Sequence, residues 1–149
     1  MNNILIIGAG MCSGALIQYV LQEADIHGWF VTVADIDLNK AQRHVSNNTR
    51  ARAAWLDVLK SNDRRDLIHR SDLVVTMLPA HLHLEVAHDC IRLNKLLVTA
   101  ASVTQELYRL GDEGRERSLS FTGEMSLDPG LEHMAAKRNI DDIEGRGGT

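Results

Sequence analysis

Cysteine is scarce in this chain of 149 residues, and long apolar runs are missing. Cys12 and Cys90 have no Cys-x-x-Cys spacing, so they predict neither a disulfide framework nor a zinc knuckle. No apolar run approaches the roughly 20 residues that a transmembrane helix needs, and the first residues lack the positive charge of a signal peptide. The sequence therefore predicts a cytoplasmic protein with reduced thiols and no membrane partner.

Positive charge is also in deficit, with 16 lysine and arginine residues against 20 aspartate and glutamate residues and a net charge of −4. Binding to a phosphate backbone depends on a basic surface, so we predict no nucleic-acid partner. The longest basic cluster is interrupted by aspartates, and we expect it to be a solvated helix face. This basic cluster consists of Arg64, Arg65, His69 and Arg70.

The length and composition are those of one ordinary globular domain, with 44% hydrophobic and 24% charged residues. Six short runs are apolar on consecutive residues, which indicates strands buried on both faces of a parallel sheet. These runs cover residues 4–7, 30–34, 53–56, 73–77, 96–100 and 119–122. Predicted helices lie between and after them, at residues 14–23, 38–47, 63–69, 82–93, 105–116 and 129–145. The alternation predicts an α/β fold, a Rossmann-type doubly wound parallel six-stranded sheet in the order 3-2-1-4-5-6.

A glycine-rich turn joins the first strand to the first helix, with the sequence Gly-Ala-Gly-Met-Cys-Ser-Gly at residues 8–14. In this context Gly8 allows a tight turn, Gly10 lets a pyrophosphate approach the backbone, and Ser13 stands in for a third glycine as a small residue. The first helical turn then faces the pyrophosphate with its N–H groups. A plain turn that binds nothing is the alternative. The residues predicted to bind here are Gly8, Gly10, Met11, Cys12 and Ser13.

Asp35 ends the second predicted strand, where an acidic side chain accepts hydrogen bonds from the adenosine ribose hydroxyls. A 2′-phosphate would meet like charge there, so the sequence predicts NAD as cofactor, with NADP disfavoured. The alternative is that Asp35 caps a helix beginning near Asp37.

Two further pairs follow the third and fourth predicted strands. Asp57 and Val58 are predicted to approach the adenine, and Leu78 and Pro79 to line the dinucleotide crevice, because ligands of such sheets lie at the carboxyl ends of the strands. Three nearby histidines have no recognised metal spacing, so we predict no metal site and expect helix-surface histidines instead. They are His81, His83 and His88.

Several of these motifs resemble the N-terminal part of the saccharopine dehydrogenase family, above all its glutamate-forming members, the saccharopine reductases. They are Gly-Ala-Gly at residues 8–10, Leu-Asp-Val at 56–58, Ser-Asp-Leu-Val-Val at 71–75 with Leu-Pro at 78–79, and Gly-Glu-Met-Ser-Leu-Asp-Pro-Gly-Leu-Glu-His at 123–133. The resemblance implies hydride exchange between a nicotinamide cofactor and the CH–NH bond of saccharopine or a related secondary amine or imine, in lysine metabolism. It makes Asp128 the candidate acid/base or substrate-positioning group, a role compatible with capping the helix that follows.

The chain departs from the family at Ala101 and Ser102, where members commonly have Ser-Tyr, and at Ser126, where they have glycine. Family members continue into a substrate domain. We therefore expect residues 1–126 to form the dinucleotide-binding domain and residues 127–149 a helix leading toward a substrate domain that this chain lacks. Such a chain binds cofactor and is catalytically incomplete. Its oligomeric state stays open, and a homo-oligomer is one way to cover the apolar surface left at the sheet edge and the final helix.

Two other interpretations stay open on sequence grounds. One is a stand-alone, non-catalytic dinucleotide-binding or interaction module. The other is a reductase of a different imine, as in the carboxynorspermidine enzymes, since one fold supports many chemistries. Whether this chain is itself an enzyme depends on which interpretation holds.

Overall fold

The computed structural model describes residues 2–10, 13–46, 48–99 and 121–122. Strands and helices alternate along the chain through this part of the sequence. The five longer strands are β1 (Asn3–Ile7), β2 (Phe30–Asp35), β3 (Ala51–Trp55), β4 (Leu73–Thr76) and β5 (Leu96–Thr99). The helices between them are α1 (Gly14–His27), α2 (Leu38–Val45), α3 (Ser61–His69) and α4 (Ala80–Arg92).

The strands form a parallel sheet in the order β3-β2-β1-β4-β5. The chain winds outward from β1 in both directions, which confirms the predicted Rossmann-type arrangement. Next to β5, Phe121 and Thr122 pair in parallel with Leu97 and Val98 and form the short β6 (Phe121–Thr122). A sixth strand over the full range 119–122 stays a prediction, and the predicted helices at 105–116 and 129–145 lie outside the described residues.

Consecutive apolar residues of β1 pack into two different cores, one on each face of the sheet. Ile4 and Ile6 contact the core that contains Ile17 of α1, whereas Leu5 and Ile7 contact the core on the α4 side. Each of these side chains is at most 5% exposed. Burial of such a side chain stabilises the fold by roughly 1.5–3 kcal/mol, so a polar residue at any of these four positions would be costly.

The edge strand β3 differs from the prediction of strands buried on both faces. Its residues are half-buried or exposed, and Trp55 is 46% exposed. Within the described part of the chain, β3 pairs with β2 alone, so it has a neighbour on only one side. Alanines at three of its five positions explain why the sequence pattern looked apolar while the strand remained partly open to solvent.

Helix α1 continues four residues beyond its predicted end at residue 23, and it stops at His27. Gly28 terminates it with a left-handed backbone (φ 73°), and its N–H donates to the carbonyl oxygen of Ala24 at 2.9 Å. Glycine adopts this conformation without strain, so Gly28 determines where α1 ends. None of the described helices is long and apolar enough to cross a membrane.

The prediction of a solvated basic face on α3 is wrong for Arg64. Its side chain is 3% exposed and forms an ion pair with Asp89 of α4, which is 1% exposed. The other three members of the cluster are exposed, including the neighbouring Arg65 with 45% of its side chain accessible. Sequence periodicity cannot separate the two, because a buried arginine depends on a carboxylate 25 positions away along the chain.

Candidate functional site

The chain leaves β1 through Gly8, which has a backbone φ of 106°. Its N–H donates to the carbonyl oxygen of Ala34 at 2.8 Å. A Cβ at this position would lie 3.2 Å from the carbonyl carbon of Met77 and 3.3 Å from its oxygen. Both the positive φ and the close approach of the Met77 backbone therefore require glycine here.

Gly10 has a different environment, because a Cβ at this position would meet nothing within 4 Å. The protein itself therefore sets no steric requirement for glycine at this position. The carbonyl oxygen of Gly10 accepts hydrogen bonds from the Ser13 N–H at 3.1 Å and the Ser13 hydroxyl at 2.7 Å. Ser13 is thus more than a small residue, since its buried hydroxyl closes the turn at the start of α1. Met11 and Cys12 lie outside the described residues.

The N-terminus of α1 is the positive end of a helix of 14 residues. No acidic side chain lies in its first turn, so nothing in the turn neutralises the helix dipole. Main-chain N–H groups at such an end attract anions, and phosphates above all. The glycine turn and this helix end fit the pyrophosphate of a dinucleotide.

Asp35 connects the glycine turn to the segment that follows β2. Its Oδ2 accepts a hydrogen bond from the Ala9 N–H at 2.7 Å, and its Oδ1 accepts one from the Asp37 N–H at 2.7 Å. The cap of α2 is Asp37, whose side chain accepts from the Asn39 N–H at 3.0 Å. An ionised carboxylate offers about four acceptor positions, so two remain on Asp35 for a ligand.

A cavity of about 250 Å³ opens at the carboxyl ends of β1, β2 and β3, beside the start of α4. Five predicted site residues line it, namely Gly8, Asp35, Asp57, Val58 and Leu78. Gly10, Ser13 and Pro79 are not among its lining residues; Pro79 instead directly precedes the first residue of α4.

In the part of the chain that the structure describes, the walls of this cavity are apolar apart from two carboxylates and one imidazole, and they include no lysine or arginine. Ile36 and Leu59 contribute exposed apolar side chains, 64% and 70% accessible, that stay available to a flat ring. Sequence reasoning missed both residues and His81. Ile36 directly follows Asp35, and Leu59 directly follows Val58. Their position next to predicted cofactor-binding residues was the available signal that they line the site.

His83 is 2% exposed, which corrects the expectation of a helix-surface histidine. Its Nε2 donates to the carbonyl oxygen of Leu78, and because a carbonyl only accepts, the hydrogen of the neutral ring resides on Nε2. The single lone pair of Nδ1 then faces the hydroxyls that end β4 and β5, Thr76 Oγ1 at 2.5 Å and Thr99 Oγ1 at 2.6 Å, and accepts from one of them at a time. His83 therefore fixes the backbone of the cavity residue Leu78.

Burial lowers the pKa of His83, and the hydrogen bond to Leu78 opposes that shift only in part. Near pH 6.5, the His83 imidazole consequently takes up a proton in the unfolded chain but not in the folded protein. We expect stability to fall as the pH is lowered from 7.5 to 5.5, by up to about 1.4 kcal/mol per pH unit within the window between the two pKa values. Urea unfolding at both pH values measures this loss.

The matched variant is His83→Gln, which removes the titrating group. Its stability at pH 7.5 should be lower than that of the wild type, but the additional loss at pH 5.5 should shrink. An equal acid-induced loss in both proteins would contradict the assignment of this pH dependence to His83.

The described residues contain no group of three or more histidine, cysteine, aspartate or glutamate side chains that could hold a metal ion. Cys90 is a buried free thiol, and desolvation raises its pKa, which disfavours the reactive thiolate. Asp128, the candidate acid/base group, lies outside the described residues, as do residues 127–149 as a whole.

Known proteins are similar to this chain in sequence and in fold. Residues 4–122 match the family described as the saccharopine dehydrogenase NADP binding domain. The chain is 36% identical over 121 residues to an alpha-aminoadipic semialdehyde synthase of Arabidopsis thaliana, a match that covers 81% of this chain and 11% of that protein. It is 30% identical over 149 residues to the mitochondrial alpha-aminoadipic semialdehyde synthase of Mus musculus, covering 99% of this chain and 16% of that protein.

Among solved structures, the apo form of the L-Glu-forming saccharopine dehydrogenase from Saccharomyces cerevisiae is similar, with a TM-score of 0.76 and 26% sequence identity. That match covers 99% of this chain and 32% of the yeast chain. The chain therefore spans between 11% and 32% of the length of these three relatives.

Proposed function

The chain belongs to the saccharopine dehydrogenase family, in which its domain is described as NADP-binding, and we propose that this member nevertheless binds NAD(H) in preference to NADP(H) and is the dinucleotide-binding domain of a CH–NH oxidoreductase. The proposal rests on the carboxylate of Asp35, which lies at the end of β2 with two acceptor positions that no described residue occupies.

The residues of the chain fit a dinucleotide in three places. The N–H groups at the start of α1 and the open space at Gly10 receive the pyrophosphate, a region to which Met11, Cys12 and Ser13 belong by sequence. Asp35 accepts from the hydroxyls of the adenosine ribose. The adenine enters the apolar cavity beside Asp57 and Val58, and Leu78 and Pro79 border the crevice at the end of β4.

The preference for NAD(H) follows from charge. A 2′-phosphate on the adenosine ribose would lie against the Asp35 carboxylate, at a cost of about 4 kcal/mol for two unit charges 4 Å apart and an effective dielectric near 20, before screening by salt. Among the described residues, no lysine or arginine lines the cavity to offset that repulsion. The two carboxylates there, from Asp35 and Asp57, both favour the uncharged ribose of NAD(H).

The bound nicotinamide supplies hydride transfer to or from the carbon of a CH–NH bond, and saccharopine or a related secondary amine is the proposed substrate. Asp128 is the proposed group for proton transfer or substrate positioning, carried over from the family motif at residues 123–133. We propose that residues 1–126 bind the dinucleotide and that residues 127–149 lead toward the remainder of the catalytic site. A cytoplasmic location and self-association stay predictions.

The polypeptide of residues 1–149 should bind NADH more tightly than NADPH and should turn over saccharopine little or not at all. Saccharopine is a tricarboxylic substrate, so its turnover needs fixed cationic donors and a water-poor cleft. The longer relatives have additional chain with which to form both. Calorimetric titration with each cofactor, followed by a saccharopine assay at saturating NAD, measures both. Binding of neither cofactor would contradict the proposed function, and robust turnover would contradict the catalytic incompleteness of this chain.

A further inference from the structure

Arg64 forms ion pairs with Asp89 and, through Nη2 at 3.6 Å, with Glu85, and it makes one further contact. Its Nε donates to Oδ2 of Asp89 at 2.5 Å, while its Nη1 donates to the carbonyl oxygen of Val58 at 2.7 Å. Val58 lines the cavity that the proposed function assigns to the adenosine. One buried guanidinium on α3 thereby joins α4 to the wall of that cavity.

The side chain of Val58 packs into the core on the α4 side and is 8% exposed. Its backbone carbonyl and the residues that follow it depend on other contacts. Val58 belongs to the turn between β3 and α3, in which the Leu59 N–H donates to Asp57 Oδ1 at 3.1 Å and the Lys60 N–H to the Asp57 carbonyl at 2.9 Å. These bonds shape the turn internally, and the Leu56 N–H before it donates to the Asp35 carbonyl of β2 at 3.1 Å. Leu59 is 70% exposed and so contributes little packing. The bond from Arg64 is the one that ties the Val58 carbonyl to the helices.

Stability alone does not account for a guanidinium at this position. Removing two charges from water costs several kcal/mol, and well-packed apolar residues of similar volume usually stabilise a fold as well or better. What an apolar pair cannot provide is a directed donor at the Val58 carbonyl. The planar fork of arginine satisfies Asp89 and Val58 in a single fixed geometry, which a lysine cannot do.

We propose that Arg64 is a positioning residue for adenosine binding: anchored by Asp89, it holds the Val58 wall of the cavity in the conformation that receives the adenosine half of the dinucleotide. This role rests on the proposed function, since the cavity is the assigned adenosine site. Arg64 touches no ligand itself and acts through the backbone of Val58.

The chain provides a matched control in Arg65. Its Nε donates to Oδ1 of the same Asp89 at 3.1 Å, whereas the donor to the Val58 carbonyl is Arg64. The variants Arg64→Lys and Arg65→Lys both keep a positive charge beside Asp89. Only the first of them loses the donor to the Val58 carbonyl.

The experiment measures 5′-AMP affinity by calorimetry at 10 °C, with the folded fraction checked by circular dichroism, together with amide hydrogen exchange at Leu59 and Lys60. R64K should bind 5′-AMP roughly tenfold more weakly while folded and should exchange these two amides faster, with core amides of β1 unchanged. R65K should match the wild type in both measurements.

Equal 5′-AMP affinity in the wild type and R64K would overturn the positioning role while leaving the proposed function intact. The same loss in R64K and R65K would overturn it as well, because Asp89 alone would then be responsible. If the wild type binds no 5′-AMP, the proposed function fails separately, and unchanged exchange at Leu59 and Lys60 in R64K would then also refute the anchoring of the wall.

Discussion

Replacing Gly10 by alanine should weaken NADH binding roughly tenfold or more, a loss of about 1.4 kcal/mol or more, without lowering the melting temperature. A Cβ at this position meets no protein atom within 4 Å, so the folded protein accommodates it. The methyl group instead occupies the space through which the pyrophosphate approaches the backbone. Calorimetric titration and thermal unfolding of the same preparation measure the two effects.

Gly8 provides the contrasting control. Its backbone φ is 106°, and a methyl group there would lie 3.2 Å from the Met77 carbonyl carbon, so Gly8→Ala forces strain on the turn whether or not a ligand is present. The strain costs roughly 1–3 kcal/mol and lowers the melting temperature by several degrees. A Gly10→Ala variant that binds NADH as well as the wild type would contradict the placement of the pyrophosphate at this turn.

Replacing Asp35 by asparagine should weaken NADH binding by roughly 10- to 100-fold and reduce the preference for NADH over NADPH. Hydrogen bonds to a charged group contribute about 1.5–3 kcal/mol, and the substitution removes that charge from the ribose site. It also removes the repulsion of a 2′-phosphate. The ratio of the NADPH and NADH dissociation constants is the measurement, because a general effect on folding cancels from it.

Asp37 offers a control for net charge. It lies two residues away, does not line the cavity and caps α2, a role that asparagine fills equally well. Asp37→Asn should therefore leave the cofactor ratio close to that of the wild type. If Asp35→Asn and Asp37→Asn change the ratio equally, the selectivity comes from long-range charge and not from a contact between Asp35 and the ribose.

The strand order of the five longer strands was predictable from local sequence. Residues of β1 and β4 are apolar at consecutive positions because helices cover both faces of the central sheet, and right-handed crossovers leave few topologies. The glycine turn was predictable for a similar reason, since its position between a strand and a helix limits its conformation. The prediction that edge strand β3 is buried on both faces was wrong, because its alanines are apolar but only partly buried.

Contacts between distant residues account for what the sequence did not predict. Arg64 depends on Asp89, and His83 depends on hydroxyls and a carbonyl from three different segments. Nothing in the local pattern of α3 or α4 distinguishes these buried polar residues from surface ones. Asp35 was identified for its position at the end of β2, but its bond to Ala9 depends on a spatial contact between β2 and the turn after β1.

A crystal structure with bound NAD tests the assignment of the site most directly. We expect the adenosine in the cavity of about 250 Å³ and its ribose hydroxyls within hydrogen-bonding distance of Asp35, with the pyrophosphate over Gly10 and the first turn of α1. A dinucleotide bound elsewhere, or with its ribose away from Asp35, would contradict both the cofactor site and the basis for preferring NAD(H).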